Sequence, residues 1–272
     1  SHLSRSNGYK VTRSFLGGEI VPHNGQRTSE KRFSQIGFSR LIRLEWLERT
    51  ANLVLAGNDE SSIYDVLQRL LDNELSGGRN VKGGSREKTI YILMKIWVRP
   101  PGDLVSLRDD GLKILSCIPR EEHIAVHWGM TMAVYPFWSA VAVHIGRQLR
   151  LQGTTTVSQV QRRVREQYGE RGVVSLSVQK IFLSLADWGV LRRTTKRGIY
   201  ASGLSLAMDD IEIIAWLVEA FLHAQQNGPR SLDAIVNSPS LFPFRISPVS
   251  ADQLTKAFGR LDAFSVGLDQ DL

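Results

Sequence analysis

Residues 153–204 read GTTTVSQVQRRVREQYGERGVVSLSVQKIFLSLADWGVLRRTTKRGIYASGL, and their pattern decides the fold. Thr156 suits a helix N-cap, and Gln159, three residues on, completes a capping box. Val157, Val160, Val164 and Tyr168 then recur at helical spacing and give one apolar face. Arg162, Arg163 and Arg165 fall on the other faces, and Gly169 and Gly172 bracket a turn. Ser175 can cap a second helix whose buried stripe is Val178, Ile181, Phe182 and Leu185. That phase leaves Ser177, Gln179, Lys180 and Ser184 on the exposed side. Trp188 and Gly189 end the helix, with the glycine at a C-cap-like position. Val190 and Leu191 begin a strand, Arg192 to Gly198 form a polar tip, and Ile199 and Tyr200 lead the return strand.

Charge collects on the same stretch. Between Ile145 and Ser205 the cations are Arg147, Arg150, Arg162, Arg163, Arg165, Arg171, Lys180, Arg192, Arg193, Lys196 and Arg197, against Glu166, Glu170 and Asp187. The resulting +8 exceeds the +7 of the whole chain. A polyanion such as duplex DNA gains affinity for such a face by releasing counterions. A solvated basic face on a protein-docking unit is the plainer alternative.

Helix, turn, helix and basic hairpin in this order resemble the winged helix-turn-helix superfamily, over residues of about 137–204. The resemblance implies a mainly α fold, a helical bundle with a central winged helix-turn-helix carrying a small β-hairpin wing. It also implies double-stranded DNA as the ligand, with the second helix in the major groove. Ser177, Gln179, Lys180 and Ser184 would then face bases or phosphates. Arg192, Arg193, Lys196 and Arg197 would meet backbone or minor groove, and Arg162, Arg163 and Arg165 would grip phosphates from the flank. Few of these side chains offer bidentate base readout, so backbone-dominated binding of weak sequence specificity is expected.

The rest of the chain sets the context. Its 272 residues, 42% apolar and 22% charged, suit a globular protein with a substantial core. A pI near 9.7 favours a polyanionic partner. The single Cys117 cannot form an internal disulfide, which fits a reducing, cytoplasmic setting and excludes a cysteine-rich metal site. No secretory pattern opens the chain, and Ser1-His2 reads as a tag remnant. Trp128 to Gly146 carries no Asp, Glu, Lys or Arg and approaches the length of a membrane span. Pro136 at its middle argues instead for two core helices broken there, so no membrane is expected.

Four regions are expected: a basic arm (1–32), a helical N-terminal bundle (33–136), the winged unit (137–205) and an acidic helical C-terminal segment (206–272). In the bundle, Phe33 to Leu55 reads as helical, followed by helices near Ile63–Leu71, Arg86–Trp97 and Leu104–Leu115. Residues 206–272 hold four Lys or Arg against nine Asp or Glu. This acidity suits either internal charge balance or a basic partner protein.

No catalytic residue, metal or cofactor is expected. Gly83-Gly84-Ser85-Arg86 lacks the strand and the Lys-Ser/Thr pair of a phosphate loop. His123 and His127 have zinc-like spacing, but Ile124 stands where a hydrolase glutamate would follow, and no third ligand is evident. Cys117 is expected to be buried. A helical protein with such a unit also resembles a small accessory subunit of BREX-type phage-defence systems. That likeness implies an accessory role in an antiviral defence or DNA-processing complex. DNA-binding regulation is thus one reading. The other is a structural subunit that binds protein partners, or a second copy, through the bundle and the acidic part.

Overall fold

A computed structural model describes residues 9–13, 32–74, 84–226 and 228–265. Strand β1 (Tyr9–Arg13) is followed by helices α1 (Leu44–Leu55), α2 (Glu60–Glu74), α3 (Ser85–Trp97) and α4 (Val105–Cys117). Then come α5 (His123–Val134) and α6 (Pro136–Gln152), and a short strand, β2 (Thr154–Thr156). The glycine-rich residues 75–83 and most of the expected basic arm lie outside the described residues.

The uncharged stretch becomes the centre of the molecule. α5 is buried from Ile124 to Val134. α6 starts at Pro136, where a missing N–H costs nothing and a fixed φ suits the first turn. Among the described residues, no helix is long and apolar enough to cross a membrane. Two indoles of this core find partners across the fold. The Trp128 indole N–H donates to the Ser240 carbonyl at 3.1 Å, and the Trp216 N–H donates to the Leu107 carbonyl at 2.9 Å.

One expected helix does not form over its full length. Phe33 to Leu55 reads as helical, yet residues 35–43 form no helix and α1 starts only at Leu44. Gly37 adopts φ of +61°, and a Cβ there would sit 2.8 Å from the Tyr135 ring. Ile36, Phe38 and Ile42 are buried against the body. The segment's backbone is held by side chains about 140 residues downstream. The Ile42 N–H donates to Ser184 Oγ at 2.9 Å, and the Trp188 indole donates to the Ile42 carbonyl at 3.0 Å. Burial of the apolar residues plus these long-range bonds outweighs helix propensity.

Helices α7 (Val157–Tyr168) and α8 (Gly172–Asp187) follow, then strands β3 (Leu191–Arg193), β4 (Ile199–Ser202) and β5 (Leu206–Met208). Beyond them α9 (Ile211–His223), capped by Asp210, is buried from Ile213 to His223. The C-terminal part is more mixed than the expected helical segment. It contains β6 (Arg230–Ser231), α10 (Leu232–Val236), β7 (Phe244–Ile246), α11 (Ala251–Ala257) and β8 (Leu261–Ser265). β1 lies between β6 and β8, antiparallel to both, and β5 pairs with β7 in parallel.

The turn at Pro239–Leu241 lies against α6 so closely that a Cβ on Gly146 would stand 2.0 Å from the Pro239 carbonyl oxygen. Backbone on the far side cannot rotate away as a side chain could. Gly146→Ala is expected to destabilise the fold by about 1–3 kcal/mol despite the better helix propensity of alanine. A lowered urea midpoint at unchanged m-value would register it.

Candidate nucleic-acid interface

Residues 136–202 bring three helices and three strands together in the order α6, β2, α7, α8, β3, β4. The strands form an antiparallel sheet in the order β2-β4-β3, with Thr155 opposite Tyr200 and Arg193 opposite Tyr200 on the other side. β2 has no counterpart in the sequence reading. Thr156 does cap α7, accepting from the Gln159 N–H at 3.3 Å. The reciprocal half of the expected capping box is replaced, because the Thr156 N–H donates to Gln148 Oε1 at 3.1 Å. α6 thereby fixes the start of α7.

The hairpin is tied down at its base and shaped at its tip. Tyr200 lies 5.1 Å, ring to ring, from Phe182 of α8, an aromatic contact of about 0.5–1.5 kcal/mol. Thr194 Oγ1 donates to the Ile199 carbonyl at 3.0 Å and accepts from the Lys196 N–H at 3.3 Å. Arg192, Arg193, Lys196 and Arg197 are all exposed on this frame. Among the described residues none of the four has a carboxylate within ion-pair distance.

α8 starts at Gly172, earlier than the expected Ser175 cap. Its buried face holds Val178, Ile181, Phe182 and Leu185 as expected, but also Ser177 and Ser184. Both serines were expected to be exposed, and that expectation is corrected. The 35–43 segment covers the Ser184 flank of α8, and the Ser184 hydroxyl is engaged by the Ile42 N–H and donates to the Lys180 carbonyl. Neither serine can reach a ligand on the outer face. That face instead carries Val173, Leu176 and Gln179, with Lys180 and Leu183 half-buried beside them. Asp187 at the helix end is drawn off by the α1 terminus, accepting from the Leu44 N–H at 3.0 Å.

The α7 arginines divide between two sides. Arg165 faces the turn into α8 and pairs with Glu170 at 3.4 Å. Arg162 and Arg163 line a furrow between α6 and α7 with His144, Arg147, Gln148 and Gln159. Arg163 pairs with Glu166 there at 3.3 Å. Burial, together with Arg147 and Arg163, holds the His144 ring below its ordinary pKa.

The histidine pair has a different use. His123 Nδ1 and His127 Nε2 both meet Glu48, at 3.0 and 2.8 Å. Hydrogen bonds from these rings hold the Glu48 carboxyl down at about 2. His127 is fully buried, and burial lowers its pKa despite Glu48, so it stays neutral, donates through Nε2 and leaves Nδ1 without a partner. Among the described residues no group of three or more His, Cys, Asp or Glu is arranged to hold a metal. Cys117, expected to be buried, is exposed at the end of α4.

Comparison with protein-family models, with curated proteins and with solved structures returned no match.

The buried histidines set an acid limit on stability. His127 and His223 are both held below the ordinary 6.5 by burial, His223 also by Arg13, Arg32 and Arg260. Between the folded and ordinary values the unfolded chain binds more protons, so stability rises with pH there and is lost as pH falls below about 6.5. Glu48 adds a loss of the same sign as pH falls from 4.5 towards 2. A urea midpoint that drops steadily from pH 7 to pH 4 is the expected result. In His127→Phe, which keeps the ring but removes the titration, the drop between pH 6.5 and 5 should be shallower.

Proposed function

We propose that residues 137–204 form a winged helix-turn-helix that binds double-stranded DNA, mainly through its phosphates. The reading rests on the element order of this unit, on its three-stranded β2-β4-β3 sheet, and above all on the β3–β4 hairpin. Four exposed cations, without carboxylate partners among the described residues, stand on this hairpin: Arg192 and Arg193 on β3, and Lys196 and Arg197 on a five-residue tip whose shape Thr194 fixes. Unpaired cations on a preordered loop can exchange counterions for phosphates without first breaking ion pairs. α8 would lie in the major groove, with Arg165 and Arg171 at its entry. Ser177 and Ser184 drop out of this interface, and Val173 and Leu176 enter it. Of the α8 side chains on the outer face, Gln179 alone offers bidentate base readout, which favours weak sequence specificity.

The alternative is a structural subunit in which the same unit docks on protein. Its support is the exposed apolar pair on α8, Val173 and Leu176, 42% and 40% exposed. The two readings separate on salt dependence.

Binding to a random-sequence duplex should weaken steeply between 50 and 200 mM salt, with single-stranded DNA and RNA competing poorly. Replacing Arg192 and Arg197 together by alanine should make the plot of log affinity against log salt shallower by about 1.8, two phosphate contacts at about 0.9 each. Affinity independent of salt, or an unchanged slope in the double variant, would count against DNA as the ligand.

A further inference from the structure

The outer face of α8 is unusual for a surface that meets a polyanion. Along its exposed line stand Val173, Leu176 and Gln179, with Leu183 half-buried at the next turn and Lys180 the one cation beside them. Val173 and Leu176 lie in the first two turns of the helix. In a helix seated in the major groove these are the turns that approach base edges. Exposed large apolar side chains scattered singly need no explanation. Two on adjacent turns of one face, on a helix whose C-terminal half packs against a hairpin carrying four exposed cations, do.

The charge on the hairpin packed against the same helix selects among occupants. An apolar partner surface would leave Arg192, Arg193, Lys196 and Arg197 facing nothing of opposite sign. A duplex answers both features, since phosphates flank a groove whose floor bears methyl groups. Only thymine places a methyl in the major groove, at C5. Adenine in the same pair offers an N6 donor and an N7 acceptor, which a glutamine amide can engage together. Val173 and Leu176 fit the first and Gln179, one turn on, fits the second.

Resting on the DNA-binding reading above, we infer that α8 recognises A·T pairs in the major groove. Val173 and Leu176 contact thymine methyls, and Gln179 contacts adenine. The preference is modest, because each methyl contact removes little more than one carbon from water. At about 0.8 kcal/mol per buried CH₂, losing one methyl contact weakens binding about fourfold.

Deoxyuracil tests this with a single-atom-group change, because it pairs like thymine and lacks only the C5 methyl. The full chain is titrated, at one fixed salt concentration, against an alternating A·T duplex, the same duplex with every thymine replaced by deoxyuracil, and an alternating G·C duplex. The expected order is thymine over deoxyuracil by fourfold or more, with G·C weakest. Val173→Ala with Leu176→Ala should abolish the thymine–deoxyuracil difference while keeping the salt dependence that the hairpin supplies. Both sites are exposed and alanine suits a helix, and the first comparison needs no variant at all. Equal affinity for the thymine and deoxyuracil duplexes overturns the inference while leaving salt-dependent DNA binding standing. So does a methyl effect that survives in the double variant. If no duplex binds at any salt, the DNA reading and the inference fall together. A mass near twice 30.5 kDa that reverts in the double variant, with no methyl effect, assigns the face to a second copy of the chain.

Discussion

Trp188 is the constraint on which the geometry of the basic face depends. It caps the C-terminal end of α8, is almost wholly buried, and must place its indole N–H somewhere other than water. The Ile42 carbonyl accepts it at 3.0 Å. Its ring lies 5.9 Å from Trp138 of α6 and 6.1 Å from Trp128 of α5, which itself meets Trp138 at 4.5 Å. Three indoles from three helices thus fix the end of α8 against the centre of the molecule. The sheet β2-β4-β3 then fixes the hairpin relative to α8 through Tyr200 and Phe182. One apolar core, continuous from Val11 to Leu261, lies beneath the whole arrangement. A face built this way holds the backbone that carries its cations in one arrangement.

Several acids of the C-terminal part and of α4 are engaged within the body. Glu219, buried on α9, receives both Nε and Nη2 of Arg260 at 2.7 and 2.9 Å, and Asp110 receives the same guanidinium at 2.7 Å. Arg32 pairs with Asp103 at 3.1 Å. Arg13 on β1 donates to His223 Nδ1 at 2.7 Å, which requires that ring to be neutral on that nitrogen. Asp210 caps α9, and Asp209 accepts from the Ser247 hydroxyl. Glu219, Asp110 and Asp103 thus balance charge within the body, and Asp210 caps a helix. The hairpin cations are left to solvent.

Local pattern made much of this legible. The α7 cap at Thr156, the α7 and α8 buried stripes, the break at Pro136 and the basic hairpin all follow from residues within a few positions of one another. What escaped depends on distance along the chain. β2 is three threonines that become a strand only because β4 lies beside them. Ser184 looked exposed because its partner, the Ile42 N–H, is 142 residues away. The 35–43 segment looked helical because its apolar residues meet a body the sequence alone does not reveal. With Ser175 as the cap, Val173 would precede the helix, and neither it nor Leu176 stands among the expected ligand residues. With the helix starting at Gly172, they move to its outer face. The basic face was legible as a charge pattern, and the side chains on the outer face of α8 were not.

In the proposed reading, α8 and the β3–β4 hairpin together form the ligand face of one fixed body. Hydrogen exchange followed by mass spectrometry, with and without a saturating random duplex at low salt, tests it most directly. Slowed exchange is expected in peptides covering 172–180 and 191–200, with peptides from α1 to α5 unchanged. Protection confined to α1 to α5, or none in either of the two expected stretches, would contradict it.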